Sequence, residues 1–191
     1  EKLERCGANL GNTYQHLRNS RDWSETMEYI RLGLGDDLED VLTPAAPGGG
    51  SIALALRYKG FSEPVPSFTL SDGTLAYLAF VALLRLDREK SLLAFDEPDL
   101  HLHPEMLMRV LGMFVSAGED CPVLLSTHSD RLLDGLPDPA SSAILCELDE
   151  KKSTKLIRPD KNALERWMEN YRGIGEIRSE GHQASIFRKR G

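Results

Sequence analysis

Read by the spacing of its apolar side chains, the chain divides into a helical opening and a longer stretch in which strands and helices alternate. Leu10, Tyr14 and Leu17 recur at intervals of three and four residues, which sets them on one face of a short helix. Trp23, Met27, Ile30 and Leu34 repeat that spacing behind Asp22-Trp23-Ser24-Glu25, which has the form of a capping box. A second helix is expected there, weakened at its end by Gly33 and Gly35. Residues 1–40 therefore read as a helical section. The run Pro44-Ala45-Ala46-Pro47-Gly48-Gly49-Gly50 has the composition of a surface loop. Beyond it Ile52, Leu54, Leu56 and Tyr58 alternate with smaller or polar residues, the period of a half-buried strand, before Pro64 and Pro66 interrupt regular structure.

From Thr69 onward the rhythm becomes helix, strand, helix, strand, as in an α/β fold with a mostly parallel sheet flanked by helices. A helix over residues 73–86 is apolar on most faces and should be buried. Residues 91–95 form a short apolar run that ends in two acids. Residues 105–117 carry Leu107, Val110, Leu111, Phe114 and Val115 on one helical face, and 122–126 read as a buried strand. Further strands are expected at 143–147 and 154–157, then a helix at 163–171 with Leu164, Trp167 and Met168 facing inward. The expected division is 1–50, helices and loop, followed by 51–191, the α/β lobe.

Composition narrows the class. A chain of 191 residues that is 41% hydrophobic can bury one sizeable core. Its net charge of −7 gives no support to a broad phosphate-binding surface. Cys6, Cys121 and Cys146 are too widely spaced for a readable metal site or disulfide framework, which fits a reducing cytoplasm. The densest apolar run, 75–84, is too short to span a bilayer, so no membrane association is expected. Glu1 rather than Met opens the chain, as expected of a fragment or processed product. The terminal Arg188-Lys189-Arg190 run reads as a solvated tail.

Three segments carry candidate chemistry. In Ser91-Leu92-Leu93-Ala94-Phe95-Asp96-Glu97-Pro98 an apolar strand delivers adjacent carboxylates at its C-terminal end, where open α/β sheets bind ligands. Adjacent acids at a strand end point in different directions: Asp96 is suited to hold Mg²⁺ through water, Glu97 to orient or deprotonate an attacking water. In Pro122-Val123-Leu124-Leu125-Ser126-Thr127-His128-Ser129 a second strand presents His128, whose imidazole can hydrogen-bond a terminal phosphate. In Leu70-Ser71-Asp72-Gly73-Thr74 the start of a helix offers Ser71 and unpaired N–H groups to an anion.

In order and spacing these motifs resemble the C-terminal half of ATP-binding-cassette-type ATPases of the SMC, RecF and OLD kind. Together with Asp96-Glu97-Pro98-Asp99-Leu100-His101-Leu102-His103-Pro104, they look most like the bacterial RecF-like AAA-type ATPases. The resemblance runs from about Gly7-Ala8-Asn9-Leu10 to Gly175-Glu176 and implies a P-loop NTPase-like lobe using ATP and Mg²⁺. It implies that Glu97 and His128 are catalytic and that Asp96 holds the metal ion. Ser71 and Gly73 would contact the γ-phosphate of nucleotide held by a second copy, with Asp99 in a loop crossing the dimer interface. ATP would join a head-to-tail homodimer and hydrolysis would release it. DNA or an effector protein is the implied further partner, in a DNA-maintenance or phage-defence role.

Two departures qualify the resemblance. Asp72 stands where a glycine is common in transporters, and its charge should turn away from phosphate. No G-x-x-x-x-G-K-[ST] occurs anywhere in the chain, and Gly48-Gly49-Gly50-Ser51 lacks the lysine that would reach the phosphates. An N-terminal lobe bearing the P-loop is therefore an expected partner, and the chain by itself should not turn over ATP. Two other classes stay open. Asp96, Glu97, Asp99, His101, His103 and His128 are ligand types for a metal-dependent phosphoesterase. A non-catalytic cassette that dimerises or regulates a partner would use the same fold.

Overall fold

The structure is a computed structural model that describes residues 3–4, 7–45, 51–86 and 90–187. Glu1, Cys6, the glycine run at 48–50 and the basic run at 188–190 lie outside the described residues. The chain forms two compact units, Glu1–Ser126 and Thr127–Gly191.

The first unit is built around α3 (Asp72–Arg85), which packs against α1 (Leu10–Arg18), α2 (Trp23–Leu34) and α4 (Pro104–Ala117). Its Tyr77, Leu78, Val81 and Ala82 are fully buried, as the apolar run over 73–86 requires. Buried hydroxyls are paired at this junction: Tyr14 Oη donates to the Leu78 carbonyl at 2.8 Å and Tyr77 Oη to the Tyr29 carbonyl at 2.6 Å. Gly33 lets Tyr77 in, since a Cβ there would lie 2.2 Å from the phenol ring. The α2 start departs from the capping-box expectation: the Asp22 side chain makes no cap bond, and the Asp22 carbonyl instead takes Thr26 N–H at 3.0 Å and Thr26 Oγ1 at 2.9 Å.

A three-stranded antiparallel sheet closes one side of this unit, in the order β1 (Leu38–Leu42), β2 (Ala55–Tyr58), β3 (Val65–Pro66). Arg18 fastens it to α1 through the Val41 carbonyl and the Asp40 carboxylate, both at 2.7 Å. The alternation over 52–58 yields a shorter strand than expected. Ile52 makes only an isolated bridge to Ala45, and Ala55 is buried together with Leu54 and Leu56.

The parallel sheet predicted from the α/β rhythm is present as one pair, β4 (Leu93–Asp96) beside β5 (Val123–Ser126), joined through α4; the other sheets are antiparallel. Phe80 of α3, Phe95 of β4 and Phe114 of α4 form a ring cluster with centroids 4.4–5.7 Å apart that seats one face of the pair. The opposite face is open. Leu92 and Leu124 are 55% and 59% exposed and Ala94 is exposed, so β5 is half-buried where a buried strand was expected. On α4, Val115 is exposed and Met113 takes the buried position.

The second unit contains α5 (Asp130–Asp134), α6 (Pro139–Ser142), the antiparallel pair β6 (Leu145–Leu148) and β7 (Thr154–Ile157), α7 (Lys161–Met168), α8 (Ile174–Ser179) and α9 (Gln183–Ile186). Its core is Ala143, Leu164, Ile174, Ile177, Ile186 and Phe187. Trp167 packs against this core as expected, but α7 ends at Met168, which is 36% exposed. Among the described residues no helix is long and apolar enough to cross a membrane.

Candidate active site

Apolar packing through Phe95 fixes where β4 ends, and the parallel register sets Asp96 directly opposite Ser126 at the C-terminal edge of the sheet. The Ser126 hydroxyl donates to the Asp96 carboxylate. The Glu97 N–H continues the ladder to the Ser126 carbonyl at 3.0 Å. Glu97 then leaves the strand with φ of 45°, in the left-handed region that a non-glycine residue enters at a cost of about 1–2 kcal/mol. This turn separates the two carboxylates: Asp96 completes the strand, while Glu97 starts the loop that runs through Asp99 to His103. Backbone bonds shape that loop, Leu100 N–H to the Glu97 carbonyl and Leu102 N–H to the Asp99 carbonyl, each at 3.2 Å.

The α3 N-terminus lies against the same loop. Ser71 caps the helix, its Oγ accepting from Thr74 N–H at 3.1 Å and sharing a 2.9 Å hydrogen bond with Thr74 Oγ1. The first intrahelical bond runs from Leu75 N–H to the Ser71 carbonyl, so the N–H groups of Asp72 and Gly73 stand ahead of it. Gly73 has a specific steric role, because a Cβ there would sit 2.8 Å from the His101 carbonyl. The structure thus brings Gly73 beside the loop that contains Asp99. Asp72 is exposed at the first turn.

In the second unit, His128 occupies an exposed position in the Thr127-His128-Ser129 segment that leads into α5. Ser129 N–H donates to Thr127 Oγ1 at 2.9 Å, and Ser129 caps α5 through Leu132 N–H at 3.3 Å. Arg178, from α8, donates to the Asp130 carboxylate at 2.7 Å and to the His128 carbonyl.

Two polar partners escaped the reading of the sequence. Ser126 could have been found from its register, since both strands end in a polar residue; Arg178 gives no local signal. Of the residues considered for a self-contained metal centre, His103 caps α4 through Nδ1, and the His101 carbonyl abuts Gly73. Among the described residues no group of three or more His, Cys, Asp or Glu side chains is arranged to hold a metal ion by itself.

Residues 15–134 match the family described as "AAA domain, putative AbiEii toxin, Type IV TA system". Over 93 residues the chain is 35% identical to "Protein ea59" of Escherichia phage lambda, a match covering 47% of this chain and 17% of that protein. The chain therefore spans under a fifth of the length of this curated relative. Among solved structures, one comes from work on "ATP-driven dimerization and DNA stimulated activation of SMC ATPases", with a TM-score of 0.58 and 15% identity, covering 95% of this chain and 99% of that one. The Smc head domain of Pyrococcus yayanosii, with a coiled coil and joint, gives 0.55 and 14%, covering 83% of this chain and 29% of that one. At these identities the likeness concerns the fold, which is that of SMC heads. With the family match extending over more than half its length, the chain belongs to this AAA-domain family, an ATPase-type domain with the fold of SMC heads.

Proposed function

We propose that residues 51–191 carry the signature, metal and switch motifs of an ATPase that hydrolyses ATP at a head-to-tail interface between two copies, once a P-loop-bearing lobe is present. The observation that carries this reading is the end of β4: a carboxylate held by a strand-end serine, followed by a second carboxylate on a left-handed residue. Backbone in a costly region at a strand end of an α/β sheet is characteristic of functional sites.

ATP with Mg²⁺ supplies the phosphoryl group that passes to water. The donor set fits: Asp96 offers an oxygen ligand to the metal ion, through water, and Ser126 limits which way that carboxylate faces. Glu97 orients the attacking water and accepts its proton. His128 hydrogen-bonds the γ-phosphate from its own subunit. Ser71 and the N–H groups at the start of α3 reach the γ-phosphate of nucleotide held by the other copy, with Asp99 close to that contact.

The open face of β4–β5 supports the need for another lobe. Parallel strands occur almost only with both faces covered, and two strands do not make a stable sheet. Exposed Leu92, Ala94 and Leu124 on the uncovered side suit a helix of that lobe laid against them. The toxin–antitoxin wording of the family description and the phage origin of ea59 favour phage defence over chromosome maintenance, with DNA or an effector protein as the further partner. A cytoplasmic location agrees with Cys121 and Cys146 being free thiols.

The test is ATP turnover by residues 1–191 and by the full-length gene product. The full-length protein should hydrolyse ATP with Mg²⁺, and Glu97→Gln should lower kcat by about 100-fold or more while prolonging the ATP-bound dimer. The 191-residue chain alone should be inactive. Hydrolysis by that chain, lost on Glu97→Gln, would overturn the need for another lobe; full-length turnover that survives Glu97→Gln would overturn the role of Glu97. A full-length protein that binds ATP and dimerises without hydrolysis would be a non-catalytic cassette.

A further inference from the structure

Local bonds shape the segment Thr127–Asp130: Ser129 N–H to Thr127 Oγ1, and Ser129 Oγ as the α5 cap. Arg178 ties it to a distant part of the sequence. Nε and Nη2 both stand 2.7 Å from Asp130 Oδ1, and Nη2 also donates to the His128 carbonyl. One planar guanidinium therefore grips two acceptors that flank Ser129, fixing the peptide plane that follows His128.

The clamp rests on a rigid base. Ile174 and Ile177 bury α8 in the core of the second unit. Gly175 brings the α8 backbone so close to α5 that a Cβ would lie 2.0 Å from the Asp130 carbonyl, and a Cβ at Gly173 would lie 2.5 Å from Asp134 Oδ1. The same Asp134 oxygen accepts Glu176 N–H at 3.0 Å, which locks the first turn of α8 onto α5. Arg178 thus projects from an element that cannot slide along the one it holds.

We propose that Arg178 is a positioning residue for His128, holding its backbone so that the imidazole meets the terminal phosphate in the geometry hydrolysis requires. This rests on the reading of His128 given above. Removing the fork takes the donor from the His128 carbonyl, and a displacement of about 1 Å at a reacting group costs on the order of 100-fold in rate. Lysine carries the charge and could replace the Nη2 contacts, but it lacks the second donor, Nε, whose bond to Asp130 fixes the plane of the guanidinium, and its ammonium sits on a flexible stem.

The experiment uses the full-length protein with Arg178→Gln, Arg178→Lys, His128→Ala and the double variant Arg178→Gln/His128→Ala. Arg178→Gln should lower kcat about 10-fold or more with little change in KM for ATP, Arg178→Lys should recover only part of it, and the double variant should be no slower than His128→Ala. Amide exchange at Ser129 and Asp130 should rise at least about tenfold in Arg178→Gln while exchange at Leu164 and Ile177 is unchanged. A kcat unaffected by Arg178→Gln, or losses that multiply in the double variant, would overturn the proposal. Unchanged exchange at Ser129 and Asp130 would do so too. If Arg178→Gln unfolds the second unit, exchange rises everywhere, and Arg178→Lys decides by the same comparison of kcat and local exchange. Full turnover by His128→Ala alongside raised exchange in Arg178→Gln would overturn the role of His128 while leaving the clamp intact.

Discussion

The two sheets of the first unit differ in what they need to be complete. In the antiparallel sheet Leu38, Val41 and Leu56 are fully buried, Arg18 binds its first strand to α1, and the strands pair in the order in which they follow along the chain. In the parallel pair one face is packed by Phe80, Phe95 and Phe114, while the other exposes Leu92 and Leu124. Antiparallel strands close a core with local chain; parallel strands depend on segments that come from elsewhere. The candidate chemistry sits on the second kind, at the edge of the sheet that is still open.

Truncating one leucine on each sheet puts this contrast to its hardest test. Leu56→Ala removes a fully buried side chain and should cost about 2–5 kcal/mol, read as a lower denaturant midpoint. Leu124→Ala, starting from 59% exposure, should cost about 0.5 kcal/mol or less in the 191-residue chain. In the full-length protein the Leu124→Ala cost should rise toward that of a core position. Equal costs for Leu124→Ala in the two proteins would mean that nothing covers this face.

A smaller effect is expected where the closed region meets alkaline solution. Burial pushes the Tyr77 phenol up to about 12, with Arg109 acting in the opposite direction. Above pH 10 the unfolded chain ionises this group while the folded chain keeps its proton, so the unfolded state binds fewer protons and stability falls from about pH 10 to about pH 12. Tyr77→Phe should make that alkaline limb shallower. At neutral pH it should cost about 1 kcal/mol, because the bond from the Tyr77 hydroxyl to the part-buried Tyr29 carbonyl is lost. An unchanged limb would place the alkaline sensitivity elsewhere, with Tyr14, also raised by burial, as the next candidate.

How far the sequence could be read follows the same division. The helices α3 and α4 and the strands carrying Asp96 and Ser126 were legible because apolar runs of the right length end in polar residues. Strand β1 was not, because a bulge between Leu38 and Asp40 breaks the period of two and puts residues three apart, Leu38 and Val41, in the core. The two adjacent acids were visible, but not the left-handed turn that parts them. Its one local sign is Pro98, which disfavours the right-handed helical region for Glu97. Arg178 had no sign at all, since its partners lie 48 and 50 residues away and a surface arginine looks alike wherever its fork lands.

Within the closed region one position is imperfect. Thr13 is fully buried on α1 and its hydroxyl has no hydrogen-bond partner among the described residues. Thr13→Val keeps the shape and removes the orphaned group, so it should stabilise the protein by about 1 kcal/mol, and ATP turnover by the full-length protein should not change. A lower midpoint would mean that the hydroxyl is satisfied by a bound water.

The smallest change in stability should come from the site itself, and it runs against function. Glu97→Gly releases about 1–2 kcal/mol of left-handed strain and adds about 0.5–1 kcal/mol of glycine entropy, a net gain between zero and about 1.5 kcal/mol. Turnover should nevertheless disappear, because the carboxylate goes with the strain. Glu97→Gln keeps the strained backbone, so it should lose turnover without gaining stability. If Glu97→Gly were less stable than Glu97→Gln by about 0.5–1 kcal/mol, the glycine entropy alone, the left-handed turn would cost the protein nothing, and the backbone at Glu97 would no longer favour a catalytic role over an ordinary loop.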